Sequence, residues 1–457
     1  MPVAHKPPWE RMLIVGAGPS GLLLSLLLAQ QGISSTVLEA WPQLDTRLRA
    51  TQYGVPATRI FKKVDGLLED FRAASIPKFP SICWRRVADG EKLLEIDMSV
   101  VEDEEDRMVI LQLGIIVQIM YRHAMEKFGP EGKVSKGLIE VKFNHKVTGT
   151  GQDADKAWVE VEETGGGGGG GEDEDEEKTS KKMEADYIIG CDGARSAVRR
   201  SLYGKTWPGQ TFPCRFIVQN VFYPGFDAHN WDGGNYMVDK NHWGLIARRG
   251  HGGLWRVTYG DTAPNLSDEE YLARRPWHLK NMLPGSPEPG DYRIEDTNLY
   301  NIHNRCVDSF RVGRILLAAD AAHVCNPMGG YGCMTAVLDT GALADCFIGL
   351  HRNLASESIL QKYADIRREI FLKYIDARSI KNLDRVSKTD PWTVKDTDKF
   401  FATLKDVTKD KKTLKEFLLK TSSIEYDFTQ FYDKVTTKTN GSADAQPSGS
   451  EITSMDV

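Results

Sequence analysis

Short apolar runs and one longer apolar segment occupy the first forty positions of the chain. Residues 12–15 are MLIV, the run GLLLSLLLA occupies 21–29, and TVLE occupies 36–39. A strand, a helix and a second strand within about thirty residues predict a β-α-β unit at the start of a parallel sheet.

Later segments show either helical or strand spacing. Apolar residues recur at helical intervals in 59–74, 113–128 and 358–386, and strand-like runs occupy 157–163 and 184–190. From about 210 to 300, aromatic residues and alternating strands predict an antiparallel sheet. The predicted fold class is therefore α/β, with a Rossmann-like domain built on a parallel sheet, a second domain built on an antiparallel β-sheet, and C-terminal helices.

Net charge and cysteine spacing argue against several classes of function. The 457 residues include 58 basic and 64 acidic ones, with a formal net charge of −6 and no basic block of the kind that binds nucleic acid. The run at 21–29 is too short to span a bilayer, so no membrane association is expected. The seven cysteines lack a CxxC pair and zinc-ligand spacing, which predicts reduced thiols, no metal site and a cytoplasmic location.

The sequence GAGPSG places Gly16, Gly18 and Gly21 in GxGxxG spacing between the first strand and the first helix. The first glycine permits a tight turn, the second lets a pyrophosphate approach the backbone, and the third lets helix and strand pack closely. Glu39 ends the second strand, where a carboxylate accepts hydrogen bonds from a ribose 2′-hydroxyl and repels a 2′-phosphate. These features predict a dinucleotide site and disfavour tightly bound NADP. The alternative is a glycine turn without a ligand.

A second glycine-rich loop lies much later in the chain. The segment GRILLAADAAHVCNPMGGYG at 313–332 begins as a buried strand and leads into a helix. Together with GAGPSG and with CDGARSAVR at 191–199, it resembles the three motifs of the single-component flavoprotein aromatic hydroxylases, the family of para-hydroxybenzoate and phenol hydroxylases. The segment 363–386 is similar to fungal secondary-metabolite tailoring enzymes of that family.

The resemblance implies that the chain binds FAD and that small residues and backbone N–H groups of the 327–333 loop face the isoalloxazine. The cofactor-binding residues that it implies are Gly16, Gly18, Gly21, Glu39, Arg47, Arg49, Gln112, Asp192, Gly193, Arg195, Asp320, Pro327, Gly329, Gly330, Gly332 and Cys333. The chain departs from the family pattern at Ala319, Asn326 and Met334, where a Gly, a Pro and an Asn are customary. His323 belongs to the third motif and is expected to be a structural histidine.

The resemblance also implies a reaction. NADPH or NADH would reduce FAD, and O₂ would then form a C4a-hydroperoxyflavin that hydroxylates or epoxidises an aromatic small molecule. The favoured substrate is a polyketide- or alkaloid-type secondary metabolite, and a simple phenol or aromatic acid is the alternative. A non-oxygenating FAD reductase or oxidase is a further alternative. A non-enzymatic relative such as the prenyl-Rab escort fold keeps the glycine fingerprint, but the intact second and third motifs argue against it.

Substrate contacts are predicted on the antiparallel sheet. Arg215 lies on an otherwise apolar strand and is the candidate catalytic residue, with a salt-bridged edge arginine as the alternative. Tyr236, Trp243 and Arg256 are candidate substrate-binding residues, although aromatic residues at strand spacing more often belong to the core.

The motifs, and the aromatic, strand-rich sequence from about 210 to 300, predict how the chain divides into domains. A glycine and acidic insertion between two strands is expected to be disordered, as is the polar C-terminal tail. The predicted parts are an FAD-binding domain in three segments (1–75, 106–205 with the insertion 164–182, and 301–357), a substrate domain in two (76–105 and 206–300), a helical region (358–433) and a disordered tail (434–457).

Overall fold

The structure is a computed structural model that describes residues 11–47, 51–76, 78–163, 180–249, 253–420 and 422–433. The strands in these ranges are β1 (Met12–Val15), β2 (Ser35–Leu38), β3 (Gln52–Tyr53), β4 (Ser81–Arg86), β5 (Lys92–Asp97), β6 (Val109–Ile110), β7 (Ile139–Lys142), β8 (His145–Gln152), β9 (Ala157–Glu163), β10 (Ser180–Ala185), β11 (Tyr187–Gly190), β12 (Gly209–Phe222), β13 (Gly234–Val238), β14 (Gly244–Arg248), β15 (Leu254–Asp261), β16 (Arg293–Cys306), β17 (Arg311–Val312), β18 (Ile315–Leu317) and β19 (His323–Val324).

Helices alternate with these strands in the first and last thirds of the chain. The α-helices are α1 (Pro19–Ala29), α2 (Val55–Phe61), α3 (Leu67–Ala74), α4 (Leu113–Phe128), α5 (Ala197–Tyr203), α6 (Gly225–Ala228), α7 (Asp268–Ala273), α8 (Arg275–Met282), α9 (Tyr331–His351), α10 (Ser358–Ile370), α11 (Ala377–Ser387), α12 (Val394–Thr397), α13 (Lys399–Val407) and α14 (Lys411–Leu419). Short 3₁₀ turns lie at Met98–Val101, Ala319–Ala321 and Phe428–Phe431, and a π-helical turn at Phe371–Asp376 joins α10 to α11.

The first sheet has the strand order β17-β18-β11-β1-β2-β7. Its strands are parallel except β17, which forms an antiparallel edge. Strand β1 and helix α1 are almost entirely buried, and apolar residues of α9 belong to the same core. This parallel sheet, together with the antiparallel strands described next, confirms the predicted α/β fold class.

The second sheet has eight strands in the order β19-β16-β12-β15-β14-β13-β4-β5. Its pairs are antiparallel except β13 with β4. Strand β16 continues to Cys306, so the domain boundary predicted after residue 300 falls inside a strand. The reason is that His303 and Arg305 still pair with β12, because the polar residues of β16 continue its ladder beyond the aromatic stretch.

One short ladder ties the third sequence motif to this second sheet. Arg305 pairs with Val324 and Cys306 pairs with His323, which makes β19 an edge strand next to β16. The loop that follows β19 therefore starts from the eight-stranded sheet, although β18, which precedes it, belongs to the parallel sheet.

Two sequence expectations differ from the observed elements. The helical segment expected over 59–74 is two helices, since Gly66 adopts φ +73° and lies between α2 and α3. Residues 180–182, assigned to the disordered insertion, form the start of β10 and pair with β9. Residues 164–179 and the tail 434–457 lie outside the described residues, so their predicted disorder stays a prediction.

The C-terminal helices pack against the eight-stranded sheet. Apolar residues of α11, α13 and α14 share a core with β4, β5 and β12 and with Met328 of the third-motif loop. Helix α9 is long and apolar enough to cross a membrane by composition, but 78% of the apolar window is buried inside the protein, as in a core helix.

Candidate functional site

The carboxyl ends of four neighbouring parallel strands converge on one edge of the first sheet. Gly16 follows β1, Glu39 follows β2, Asp192 lies two residues beyond β11, and Asp320 lies three residues beyond β18. These strands are adjacent in the order β18-β11-β1-β2. In open parallel sheets, ligands bind outside the carboxyl ends of the strands. The structure therefore brings the three sequence motifs together at the place expected for a dinucleotide.

The glycine fingerprint adopts the conformation that its spacing predicts. Gly16 has φ +104°, and a Cβ atom there would lie 2.6 Å from the Cys191 carbonyl oxygen. A Cβ atom on Gly21 would lie 2.0 Å from the Gly16 carbonyl oxygen, so both positions need glycine for the backbone alone. A Cβ atom on Gly18, in contrast, would meet no described atom within 4 Å. The open space at Gly18, at the start of α1, suits a phosphate group.

Glu39 links the second strand to this loop. One carboxylate oxygen accepts a hydrogen bond from the Ala17 N–H at 2.8 Å, and the other accepts one from the Trp41 N–H at 3.0 Å. The side chain remains partly exposed. The carboxylate is thus fixed beside the glycine loop, where it has free lone pairs for a ribose hydroxyl.

Asp192 carries the clearest sign of a missing partner in this part of the site. Its Oδ2 atom accepts hydrogen bonds from the N–H groups of Ala197 and Val198, whereas its buried Oδ1 atom has no partner among the described residues. Burial raises the pKa of this carboxyl group above its ordinary value. Gly193, next to it, has φ +75° and faces open space. Arg195 is exposed at the same turn.

The third-motif loop offers a small-residue surface. Cβ atoms on Gly330 and Gly332 would meet no described atom within 4 Å, so both positions are open to a flat ligand. Gly329 is different, because a Cβ atom there would lie 2.6 Å from the Asn382 amide nitrogen at φ +104°. Gly329 is therefore required by packing rather than by ligand approach. A turn closed by the Gly330 N–H and the Pro327 carbonyl, 3.1 Å apart, shapes the loop.

Asp320 and Cys333 lie at the two ends of this loop. Asp320 is exposed in the 3₁₀ turn after β18. Burial, with a smaller contribution from Asp320, raises the pKa of the Cys333 thiol to about 12. This cysteine is therefore an uncharged thiol. The preceding Ala319 has φ +58°, a conformation that explains why glycine is customary at this position.

A buried ionic cluster contacts the segment that leads into the third-motif loop. Asp339 of α9 lies 2.7 Å from the Nε2 atom of His323 and 2.7 Å from the Nε atom of Arg367, and it accepts the Ala319 N–H at 3.1 Å. All three charged side chains are at most 1% exposed. Aromatic rings of Phe310 and Phe371 stack near the two sides of the His323 ring. His323 is thus the structural histidine expected from the sequence.

Asn326, one of the departures from the family pattern, has a structural role. It is fully buried, its backbone N–H and side-chain amide both donate to the side-chain Oδ1 atom of Asn304, and its own Oδ1 accepts the Met328 N–H. Met334 lies closer to the site, since its sulfur would be 3.4 Å from a Cβ atom on Gly54.

The segment expected at the flavin edge lies beside the start of α4. Gln112 precedes this helix, and Thr46 lies 3.0 Å from the position of a Cβ atom on Gly114. The guanidinium of Arg47 forms a bidentate ion pair with Asp45, with N–O distances of 2.8 and 2.7 Å. Arg47 is therefore near the site, but it is engaged by its own neighbour. Arg49 lies outside the described residues, and its assignment stays a prediction.

The eight-stranded sheet presents one face to the third-motif loop. The side chains of Tyr236, Asn220 and Arg256 belong to this face, because Asn220 pairs with Arg256, Arg256 with Ala247 and Ala247 with Gly234 across the sheet. Burial raises the pKa of Tyr236 to about 12, and the Gly329 backbone interacts with its hydroxyl group. Tyr236 and Arg256 thus lie on the face of the sheet that is turned to the third-motif loop.

Two other predictions on this sheet are corrected. Arg215 is five residues from Asn220 on the regularly paired β12, so it points to the opposite face, where it forms a 2.6 Å ion pair with Asp268. The structure thus shows the salt-bridged arginine that was the alternative to a catalytic role. Trp243 is 2% exposed and packs over Gly260 beside Phe216, so it is a core residue because its ring fills the space that a glycine leaves.

The sequence argument missed two buried polar side chains on the flavin-facing side. Arg249 is 8% exposed, and its Nε and Nη1 atoms have no hydrogen-bond partner among the described residues. The hydroxyl group of Tyr53, which is fully buried, also has none there. Neither residue belongs to a motif. The only sequence signal was the pair of arginines at 248 and 249 at the end of an apolar strand.

The residues at the strand ends fit FAD. Gly18 and Gly193 leave room for phosphates, the Asp192 Oδ1 atom lacks a partner within the described ranges, and Gly330 with Gly332 leaves a flat open surface. Residues 11–378 match the family model described as "FAD binding domain". The chain belongs to this family. It is an FAD-dependent monooxygenase, as the sequence predicted.

Relatives cover nearly the whole chain. Para-nitrophenol 4-monooxygenase of Pseudomonas sp. (strain WBC-3) is 34% identical over 412 residues, which cover 90% of this chain and 94% of the relative. 6-Hydroxy-3-succinoylpyridine 3-monooxygenase HspB of Pseudomonas putida (strain DSM 28022 / S16) is 30% identical over 376 residues, covering 82% and 88%. These comparisons do not support the fungal secondary-metabolite subtype.

Solved structures agree with the fold. The crystal structure of p-nitrophenol 4-monooxygenase PnpA from Pseudomonas putida DLL-E4 superposes with a TM-score of 0.77 at 31% identity, covering 90% of this chain and 97% of that one. The flavin-dependent monooxygenase PieE, solved in complex with FAD and substrate, superposes with a TM-score of 0.67 at 17% identity, covering 91% and 71%. The second comparison speaks to the fold alone.

Proposed function

We propose that this enzyme hydroxylates a simple phenol or a closely related small aromatic compound, with NADPH or NADH as reductant and O₂ as oxidant. The observation that carries the proposal is the 34% identity to para-nitrophenol 4-monooxygenase over 90% of this chain. A small aromatic compound, the alternative of the sequence argument, thus replaces the secondary metabolite as the favoured substrate.

The overall reaction balances as a monooxygenation. One oxygen atom of O₂ enters the aromatic ring as a hydroxyl group, the other leaves as water, and NAD(P)H supplies two electrons. Bound FAD supplies the redox chemistry, and the protein supplies positioning, electrostatics and exclusion of water.

The chain's own residues would divide this work between two surfaces. The strand-end residues Gly18, Glu39, Asp192 and Asp320 would hold the cofactor, and backbone N–H groups of the 327–333 loop would face its ring system. Fixed N–H dipoles at such a position stabilise negative charge. Tyr236 and Arg256 of the eight-stranded sheet would orient the aromatic ring from the other side.

The test is spectroscopic and chemical. The purified protein should show a flavin spectrum that survives gel filtration and bleaches anaerobically with NADPH or NADH. In ¹⁸O₂, one compound of a panel of phenols, aromatic acids and larger polycyclic aromatics should gain a single labelled oxygen atom.

Two results would contradict the proposal. Reduction of the flavin followed by peroxide alone with every compound would make the enzyme an oxidase or a reductase. Labelled product from polycyclic aromatics but not from phenols would return the favoured substrate to the secondary-metabolite class. A cytoplasmic location is part of the same proposal, and fractionation of cells that express the full chain tests it.

A further inference from the structure

The position of Arg249 makes it part of the substrate side of the site. Arg249 follows β14 directly and continues its ladder, since its N–H donates to the Leu254 carbonyl oxygen at 2.9 Å. Two residues before it, Ala247 pairs with Arg256. Side chains alternate along a strand, so Arg249 lies on the same face as Ala247 and Arg256. This is the face turned to the third-motif loop.

The guanidinium of Arg249 is buried without compensation. Its Nε and Nη1 atoms are enclosed and lack partners, and no carboxylate of the described ranges forms an ion pair with it. Arg248, its neighbour on the opposite face, in contrast forms ion pairs with Asp227 and Asp232. A buried charge without partners costs several kcal/mol, so proteins retain one where a ligand completes it.

A second buried arginine, Arg256, and the buried Tyr53 lie close to Arg249. Arg256 is 4% exposed and donates through Nε to the Asn220 oxygen at 2.9 Å. Burial, and then the charge of Arg256, lowers the pKa of Arg249 well below its ordinary value. Tyr53 lies close enough for both guanidinium charges to act on its pKa. Two buried arginines and a buried hydroxyl group that lacks a partner among the described residues thus lie close to one another.

The same side chains lie near the third-motif loop. Cys333, at the end of the small-residue loop, is also close enough to Tyr53 to affect its pKa. Gly54, the next residue, approaches Met334 of the same loop. Tyr53 and Arg249 therefore link the eight-stranded sheet to the third-motif loop.

We infer that Arg249, with Tyr53 and Arg256 beside it, is the specificity-determining residue that binds an anionic oxygen substituent of the aromatic substrate. The planar guanidinium donates to a phenolate or a carboxylate oxygen, and the Tyr53 hydroxyl group donates to the same oxygen or its neighbour. This inference rests on the proposed hydroxylation of a small aromatic compound. It adds that the substrate binds as an anion.

The test compares anions with neutral compounds of the same shape. The FAD-loaded enzyme is titrated with 4-nitrophenol, at a pH where it is ionised, and with 4-nitroanisole. A second pair is benzoate and benzamide, and the change in flavin absorbance gives each Kd. The wild-type enzyme should prefer at least one anion over its neutral partner by about 10-fold or more, because hydrogen bonds to charged groups are worth ~1.5–3 kcal/mol. Which pair shows the preference identifies the group as phenolate or carboxylate.

Variants locate that preference. Arg249→Gln should weaken binding of the preferred anion by about 10- to 100-fold and leave its neutral partner nearly unchanged. Arg249→Lys should keep part of the preference, because it retains the charge but not the fork. Arg248→Gln, on the opposite face, is the matched control and should bind both compounds as the wild type does.

Thermal denaturation supplies a second readout that a structural arginine would not give. Arg249→Met removes an uncompensated buried charge, so the FAD-loaded variant without aromatic ligand should have a higher Tm than the wild type. A lower Tm, with anion binding retained, would overturn the inference.

The outcomes separate this inference from the proposed function. Equal Kd values for every anion and its neutral partner, in an enzyme that hydroxylates small aromatics, would overturn the anion inference alone. An enzyme that binds FAD but hydroxylates no aromatic compound of the panel would overturn the proposed function. Anion preference that persists unchanged in Arg249→Gln would reassign it to another residue and overturn the assignment to Arg249.

Discussion

The buried cluster of Asp339, His323 and Arg367 predicts a large loss of stability when one member is removed. The two oxygens of Asp339 receive hydrogen bonds from the Nε atom of Arg367, from His323 and from the Ala319 N–H. Burial alone would raise the pKa of Asp339, but His323 and Arg367 hold it below its ordinary value. Asp339→Asn keeps the shape of the side chain, removes its charge, and turns an NH₂ group towards a donor.

The expected magnitude follows from this burial. Removing one partner of a buried ion pair leaves an uncompensated charge and costs about 3–5 kcal/mol. Arg367 is 1% exposed, so Asp339→Asn should lower the free energy of unfolding by about that amount. Arg367→Met should cost a similar amount. The double variant should cost less than the sum of the two by ~1–3 kcal/mol, because the second change removes the charge that the first one exposed.

The assay is urea-induced unfolding of the FAD-loaded protein, followed by tryptophan fluorescence. Lys62→Met is the control, because Lys62 pairs with Glu105 and the two side chains are 45% and 64% exposed. An exposed ion pair of this kind contributes at most about 1 kcal/mol. Single variants of the cluster that lose less than the control, or costs that add without coupling, would refute the reasoning.

Three further predictions concern single side chains. Ala319→Gly should raise the free energy of unfolding by up to about 1 kcal/mol, because relief of the left-handed φ (~1–2 kcal/mol) outweighs the entropy gained by the unfolded chain (~0.4–1 kcal/mol); a lower Tm by calorimetry would contradict this. Asp192→Asn should weaken FAD binding about 10-fold in a fluorescence titration of the apoprotein, whereas the exposed Asp153→Asn should not; equal affinities would contradict the role of Asp192. Burial lowers the pKa of His242 from 6.5 to about 4, so between those values only the unfolded chain gains the proton. The wild type should therefore lose about 1.4 kcal/mol of stability per pH unit as the pH falls through this range, and His242→Gln should lose less; equal pH slopes in urea unfolding would refute it.

The glycine turn after β1 was predictable because its sequence determinants are local. A strand, a glycine turn and a helix N-terminus lie within one stretch of sequence, and the conformations of Gly16 and Gly21 follow from close contacts that no other residue permits. The fold class was predictable for the same reason, because each β-α-β signal is short-range.

The substrate half was not predictable in the same way. Strand β12 is apolar around Arg215 and Asn220, so its sequence does not show which parity of positions faces the cofactor. The answer depends on register with β15 and on the packing of α7, which places Asp268 next to Arg215. Arg249 was missed because the feature that distinguishes it is the lack of a hydrogen-bond partner for Nε and Nη1 among the described residues. Only a three-dimensional structure shows such a feature.

Strand β19 has a consequence for the evolution of this architecture. It is two residues long, yet it pairs the segment after β18 with the last two residues of β16. If the eight-stranded sheet were exchanged between relatives, the new sheet would need an end of β16 that still pairs with β19. The loop that carries Pro327 and Gly332 begins from that pairing. An exchange that changes Arg305 or Cys306 therefore also changes the strand pairing from which the third-motif loop begins.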